Sequence, residues 1–416
     1  MVLTKPAEND IISGMKTYHR VYTDMIREHL SMYRQMIFLS GPRQVGKTTL
    51  AKGEDPVYFS WDREEDRRLI LAGGDGLSER IGIGHRLGEP AKLIAFDEIH
   101  RYPRWKTFLK GFFDVHEKDV RIIATGSARM DVYKRGGDSM MGRYFPYRIH
   151  PLSVAEITDP TLPDEKKIVR SPRRIPDGEW AALYTFGGFP EPFAMRNVRF
   201  ARKWQELRLE QLLRTDVRDV SRSLEIDRME SLARILINRS GDQLVYSSLA
   251  RDLNVTEPTV KQWISTLKSL YFGFEVRPYF KNIENSIRKM PKWYMRDWSL
   301  VDDEGKRAET MVACHLLKAV EAWTDLGFGE FSLSYIRDKM KREVDFIVVR
   351  DQKPWFLVEV KKRNEKLSTA LCEFQRITGA GHAFQTVLEE EYVDEDCFAF
   401  ERPVIVPAKT FLSQLM

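Results

Sequence analysis

Gly41-Pro42-Arg43-Gln44-Val45-Gly46-Lys47-Thr48 brackets four residues between two glycines and closes on a Lys-Thr pair. That spacing suits a polyphosphate. Glycine backbones can turn several N–H groups inward as an anion nest, and a following helix adds its positive end. Lys47 would reach the β and γ phosphates, while the Thr48 hydroxyl would sit on the magnesium ion that bridges them. With Thr49 opening the helix, Gly41, Pro42, Arg43, Gln44, Val45, Gly46, Lys47, Thr48 and Thr49 form a complete Walker A pattern. About 50 residues later the apolar run Lys92-Leu93-Ile94-Ala95-Phe96 ends in Asp97-Glu98, a Walker B pattern. There Asp97 would share the magnesium and Glu98 would polarise the attacking water.

A second set of chemistry-bearing residues lies beyond residue 300. Glu309 falls on the apolar stripe Val312, Ala313, Leu316, Leu317 and Val320 of a helix over Gly305 to Trp323, where a carboxylate is costly unless partnered. Asp345 sits opposite Val344 and Phe346 on a strand from Glu343 to Val349, and Glu359 and Lys361 share one face of the strand from Trp355 to Lys361. A strand bearing E-x-K is common and is compatible with a solvated charged face, whereas an acid on an apolar helical stripe and an Asp within an apolar strand call for partners.

The first set needs a parallel sheet to hold it. Met36-Ile37-Phe38-Leu39 reads as a buried strand feeding the phosphate loop, and an amphipathic helix over residues 15 to 35 leads into it. Further strands are expected at Pro56 to Asp62, Lys92 to Phe96 and Arg121 to Ser127, with helices from Arg63 and over Tyr102 to Val115. Gly73, Gly74, Gly76, Gly82, Gly84 and Gly88 predict a loop-rich stretch. Strand, Walker A, helix, strand, helix, Walker B strand, helix, strand implies a doubly wound sheet binding nucleotide at its carboxyl edge.

The stretches GPRQVGKTTL, FDEIHR, ATGSAR, Met141-Gly142-Arg143-Tyr144, Pro151 to Glu156 and Gly187-Gly188-Phe189-Pro190-Glu191 together resemble a prokaryotic family of AAA-like ATPases whose C-terminal half is a domain of unknown function. The resemblance covers most of the chain. It implies ATP binding and hydrolysis, and self-assembly. It further implies a sensor for the γ phosphate at Thr125 or Ser127, which otherwise read as a polar strand end. In such proteins an arginine often completes a neighbouring subunit's site. Arg143 is either that residue or an ordinary structural arginine.

Asp159 to Gly178 is rich in proline and alternating charge and reads as a linker, followed by a helical region over 179–240. Ser247 to Ile264 has the grammar of a helix, a turn and a second helix, with Ser247 and Thr256 as N-caps and Pro258 in the first turn. With Tyr271 to Val276 as a wing strand this reads as a winged helix over 241–281. Lys261, Gln262, Ser265 and Lys268 would face DNA, although Glu257 sits where a phosphate contact is expected; a protein-contact role is the other reading.

Glu309, Asp345 and Glu359-x-Lys361 are similar to the pattern of the PD-(D/E)XK nuclease superfamily. That resemblance implies a nuclease-like α/β domain over 282–416 in which the acids bind one or two magnesium ions, with Asp345 and Glu359 as metal ligands, and Lys361 positions or activates the attacking water; the fold can also persist in a binding role without cleavage. Gln375 on a following helix is expected near the acids.

The expected organisation is therefore α/β: an N-terminal helix (1–35), an AAA-like P-loop ATPase domain (36–158), the linker (159–178), the helical and winged-helix regions, and the nuclease-like domain. The 416 residues allow two or three cores. Hydrophobic residues at 43% and charged residues at 31% exclude a disordered chain, and 66 basic against 61 acidic side chains only weakly favour a polyanionic partner. Cys314, Cys372 and Cys397 form no CxxC pair, which argues against zinc or a disulfide framework. No apolar run approaches the roughly 20 residues a membrane span needs, so cytoplasm is the expected compartment. The expected function is an ATPase, with ATP and magnesium, that assembles as a homo-oligomer and controls a nuclease-like domain acting on DNA. The alternatives are a nucleotide-controlled switch or scaffold without cleavage, and a transcriptional regulator using the winged helix.

Overall fold

Runs of four or more consecutive apolar residues make strands that are buried on both faces, and two sheets form around such runs. The computed structural model describes residues 11–12, 15–16, 18–83, 89–126, 140–217, 226–279, 290–363 and 366–416. Two compact units result, one spanning His19–His150 and the other Met1–Tyr18 with Pro151–Met416. The first strands, β1 (Ile11–Ile12) and β2 (Met15–Lys16), pair antiparallel. The helix expected over 15–35 is confined to Val21–Met32, and it buries Val21, Tyr22, Met25, Ile26 and His29.

In His19–His150 the strands are β3 (Met36–Ser40), β4 (Val57–Ser60), β5 (Lys92–Asp97), β6 (Val120–Gly126) and β7 (Tyr144–Arg148), ordered β4-β5-β6-β3-β7. Every pair is parallel. The Walker A strand β3 therefore lies between β6 and β7, and the carboxyl ends of β3 and β5 flank that of β6. The helix Trp105–His116 buries Trp105, Leu109, Phe112 and Phe113 in a core with Phe38, Phe59, Ile94 and Phe96. The glycine-rich stretch departs from expectation, because Gly74–Ile81 is a helix. Leu77 is fully buried in the same core, and a side chain at Gly74 would meet the Phe112 ring at 3.4 Å. Tertiary packing there outweighs the roughly 1 kcal/mol helical penalty of each glycine.

The larger unit holds β8 (Gly273–Pro278), β9 (Lys292–Met295), β10 (Phe331–Arg337), β11 (Glu343–Arg350), β12 (Lys353–Lys361), β13 (His382–Val387) and β14 (Val404–Pro407), ordered β14-β13-β12-β11-β10-β8-β9. The strands β10, β11 and β12 form an antiparallel meander, and β13 and β14 continue it in parallel. The helix Glu304–Asp325, N-capped by the Asp303 carboxylate on Lys306 N at 2.9 Å, precedes the meander and packs Trp323 against Phe331 and Trp355. The helix Thr369–Thr378 crosses from β12 to β13 and buries Leu371 and Phe374 with Ile347 and Leu357.

The helix-turn-helix pair is present as Tyr246–Asp252 and Glu257–Ser269. Thr256 caps the second helix through Thr259 N, whereas the first begins after Val245 with no side-chain cap from Ser247. β8 pairs with β9 and also, in parallel, with β10. The boundary expected at 281/282 thus falls inside one hairpin of the seven-stranded sheet, a pairing that local sequence does not reveal. The expected linker holds no helix before Asp177, but it is fixed at Arg170, whose backbone N–H donates to Gln414 O at 2.9 Å and whose carbonyl accepts from Gln414 Nε2 at 3.0 Å.

Candidate functional site

The phosphate loop leaves β3 at Gly41. The Gly41 φ of +152° and the 2.4 Å that would separate an added Cβ from Ile149 O restrict the position to glycine. Gly46, at φ +101°, turns the chain into the helix Lys47–Lys52. Lys47 folds back over the loop, and its ammonium donates to Gly41 O at 2.9 Å and Pro42 O at 2.7 Å. The lysine is thereby held over the loop's inner surface. Within the loop Val45 is buried, Arg43 half-buried and Gln44 exposed, and Thr49 faces outward. One brace carries no sequence motif: Arg20 donates to Val45 O at 2.9 Å and to His150 O at 2.6 Å, tying the loop to the chain beyond β7.

At the end of β5 the Asp97 carboxylate accepts from Thr48 Oγ1 at 3.0 Å, from the Tyr58 hydroxyl at 2.5 Å, and from Thr125 Oγ1. Burial and the Asp97 charge hold the Tyr58 phenol well above its usual range, so it remains a donor. Thr125, fully buried at the end of β6, also accepts from Glu98 N at 3.3 Å. It links the two carboxylate positions. Glu98 itself adopts φ +54°, a left-handed conformation uncommon outside glycine and a mark of functional positions. Burial raises the Glu98 pKa, opposed by the Lys47 charge, which strengthens it as a base. Ser127 lies outside the described residues.

Arg143 immediately precedes β7 and makes a bidentate pair with Asp114, Nε to Oδ1 at 2.6 Å and Nη2 to Oδ2 at 2.9 Å. The hydrogen-bonded guanidinium holds the Asp114 carboxyl below its usual range. In the β3–β7 register Tyr144 pairs Met36 and Arg148 pairs Ser40. Arg143 thus lies at the amino edge of the sheet, about 17 Å from the loop edge for five residues of strand.

In the larger unit Lys292, only 5% exposed, gathers the acids. Its ammonium lies 3.0 Å from Glu309 Oε1, 2.6 Å from Glu343 Oε1 and 3.7 Å from Asp345 Oδ1. The Tyr294 hydroxyl donates to Glu309 Oε1 at 2.5 Å. Val360 N donates to Asp345 Oδ2 at 2.9 Å, which turns Asp345 toward the strand carrying Glu359, and Lys361 pairs Glu359 at 3.1 Å. Burial, then Glu309 and Glu359, push the Asp345 pKa well up, with Lys292 opposing. Burial likewise raises Glu359, opposed by Lys361. For Lys292 burial alone would lower the pKa, but Glu309, Asp345 and Glu343 outweigh it and hold the ammonium charged. Glu309, Asp345, Glu359 and Lys361 therefore do come together. Gln375 does not join them, since its amide donates to Ala380 O and Glu401 O.

Sequence reasoning missed Lys292, Tyr294 and Glu343. The available signal was a lone lysine opening the run Lys292-Trp293-Tyr294-Met295, because a cation in a strand buried on both faces requires anionic partners. Among the described residues no group of three His, Cys, Asp or Glu side chains is arranged to hold a metal ion. The donor types nonetheless fit a hard divalent cation. Among the described residues the buried Glu359 Oε2 finds no hydrogen-bond partner.

Residues 33–158 match the family profile of the AAA domain, and residues 178–303 and 304–403 match two domains of unknown function, DUF8612 and DUF4143. The chain is 25% identical over 278 residues to the uncharacterized protein Rv2008c of Mycobacterium tuberculosis, covering 64% of this chain and 55% of that protein. It therefore spans about half the length of that relative. It is 23% identical over 405 residues to the uncharacterized protein MJ1637 of Methanocaldococcus jannaschii, covering 85% and 82%. Among solved structures, C. elegans PCH-2 aligns at 13% identity and TM-score 0.23, over 40% of this chain and 44% of that one. A Signal Transduction ATPase with Numerous Domains protein from Pyrococcus horikoshii aligns at 12% identity and TM-score 0.20, over 72% and 47%. No helix among the described residues is long and apolar enough to cross a membrane. The complete phosphate loop on a parallel five-stranded sheet and the match over residues 33–158 identify a P-loop ATPase domain of the AAA type.

Proposed function

We propose that this chain hydrolyses ATP at the Gly41–Thr49 loop and uses the nucleotide cycle to control a C-terminal PD-(D/E)XK-like domain that cleaves DNA. The observation that carries the C-terminal half is the convergence of Glu309, Asp345, Glu359 and Lys361 on one edge of a meander whose chain order is helix, three antiparallel strands, helix, parallel strand.

At the ATPase site Lys47 would leave the Gly41 and Pro42 carbonyls for the phosphates, and the Thr48 and Asp97 oxygens would hold a magnesium ion, which would supply charge to stabilise the developing phosphoryl oxygens. Glu98 orients the attacking water, its N–H fixed by Thr125. Arg143, on the edge of the sheet away from its own loop, suits a role only in a neighbouring subunit's site, so this reading carries a homo-oligomer with it. In the C-terminal site Asp345 and Glu359 would hold magnesium with Glu309 close by, and Lys361 would position water against the scissile phosphate. The winged-helix pair is a candidate for DNA contact. There Lys261 is paired with Glu257 at 2.7 Å, which weakens its offer to phosphate.

Supercoiled plasmid incubated with the full chain, magnesium and ATP tests the cleavage claim. Nicking by wild type that is lost in Asp345→Ala and Lys361→Ala is expected; equal nicking by all three, or none with any divalent metal, contradicts it. One observation favours a second reading, in which the domain binds without cutting: the Lys292 ammonium already stands among the acids.

A further inference from the structure

Three carboxylates reach one buried ammonium, and the three contacts are unequal. Glu343 Oε1 is nearest at 2.6 Å, Glu309 Oε1 follows at 3.0 Å, and Asp345 Oδ1 lies at 3.7 Å. Glu343 also has the Arg337 guanidinium at 3.5 Å, so it does not depend on Lys292 alone. Glu309 has the Tyr294 hydroxyl, and Asp345 has the Val360 N–H. Strand β9 fixes the lysine from behind, since Trp293, Tyr294 and Met295 are fully buried. Beside this cluster is a buried carboxylate oxygen, Glu359 Oε2, that has no hydrogen-bond partner among the described residues. An unsatisfied buried acceptor beside two further acids is a position that gains from a cation.

We infer that Lys292 is the resident counter-cation of the Glu309, Glu343 and Asp345 cluster, and that a divalent cation binds by displacing its ammonium from Glu309 and Asp345. The inference rests on the reading of Asp345 and Glu359 as metal ligands. Without a cation, three half-buried acids within reach of one another would repel; the ammonium removes that cost and lets the domain fold before metal arrives. The same ammonium then competes with metal, because a divalent ion and a lysine cannot both neutralise one pair of oxygens at close range. Glu343 lies outside the proposed ligand set and makes the shortest contact, so it can retain the displaced ammonium on its four-carbon stem. Lys361 cannot take this role, because its partner is Glu359 on the same strand face and it lies at a half-exposed position. The consequence is a site whose metal affinity is set by an internal competitor.

The experiment compares nucleotide-free wild type, Lys292→Met and the double variant K292M/D345N, all as the full chain. Manganese binding is read by electron paramagnetic resonance and thermal unfolding is followed with and without metal. K292M is expected to bind Mn2+ at least about tenfold tighter than wild type, and to gain more in melting temperature from it. Adding D345N should remove both gains. If K292M does not fold in metal-free buffer, millimolar Mg2+ or Mn2+ should restore the fold of K292M and leave K292M/D345N unfolded. Equal, Asp345-dependent affinities in wild type and K292M overturn the counter-cation role while leaving the metal site standing. No Asp345-dependent binding in either chain overturns both. A K292M chain that no divalent cation refolds also overturns the inference.

Discussion

The Thr48 hydroxyl donates to the Asp97 carboxylate at 3.0 Å, which sets the residue after the Walker A lysine directly against the acid that ends β5. These two positions come from strands separated by β6, and their alignment depends on the parallel register as well as on the loop. Thr48→Val and Asp97→Asn should each lower the rate of magnesium-dependent ATP hydrolysis by about 100-fold. Binding of a fluorescent ADP in metal-free buffer should stay within a few fold. Loss of both together in Thr48→Val would mean that the loop itself had collapsed.

Arg143 and the loop occupy opposite edges of one sheet, so a catalytic Arg143 requires a second subunit. Arg143→Ala and Glu98→Gln should each be nearly inactive alone, and mixing them should restore measurable hydrolysis, because one subunit then supplies the arginine and the other the carboxylate. Asp114→Ala is expected to retain activity, since it removes only the resting partner of Arg143. Mixtures no more active than their components would assign Arg143 a structural role.

The His315 imidazole is buried, accepts from Val154 N at 3.1 Å through Nε2 and bonds Met311 O at 2.7 Å through Nδ1. Burial pulls its pKa to about 4, opposed by the Met311 carbonyl and assisted by the Lys318 charge. The native state therefore stays neutral where the unfolded chain, near 6.5, takes up a proton. The contribution of His315 to stability is fully present above pH 6.5 and is lost by about 1.4 kcal/mol per pH unit between 6.5 and 4. Denaturant unfolding across that range should show the slope, and His315→Gln should flatten it.

Lys318 and Glu156 form a fully buried pair at 2.5 Å, with Lys318 also donating to Pro151 O at 3.2 Å. Removing one partner leaves an uncompensated buried charge. Lys318→Met should destabilise the larger unit by about 3–5 kcal/mol, and Lys318→Met with Glu156→Gln by clearly less. Additive losses in the double-mutant cycle would show that the two groups do not stabilise one another.

The nucleotide loop was legible in sequence because its requirements are local: Gly41 and Gly46 take backbone conformations that suit glycine, and Lys47-Thr48 follows by spacing alone. Asp345, Glu359 and Lys361 were legible because strand alternation fixes their face. Lys292 was not, since its partners come from the helix Glu304–Asp325 and from β11, and only the pairing of β8 with both β9 and β10 brings them near. The helix Gly74–Ile81 was hidden for a related reason: its glycines argue for a loop, and its stability comes from the burial of Leu77. Arg20 gave no signal, because an arginine bracing two carbonyls has no motif.

Water activation by Glu98 at the Gly41–Thr49 loop is tested by phosphate release from wild type and Glu98→Gln at saturating Mg-ATP, with ATP affinity measured alongside. Wild type should turn over, Glu98→Gln should lose at least about 100-fold, and ATP affinity should be unchanged within a few fold. Equal turnover by the two proteins, or none by wild type, would contradict it.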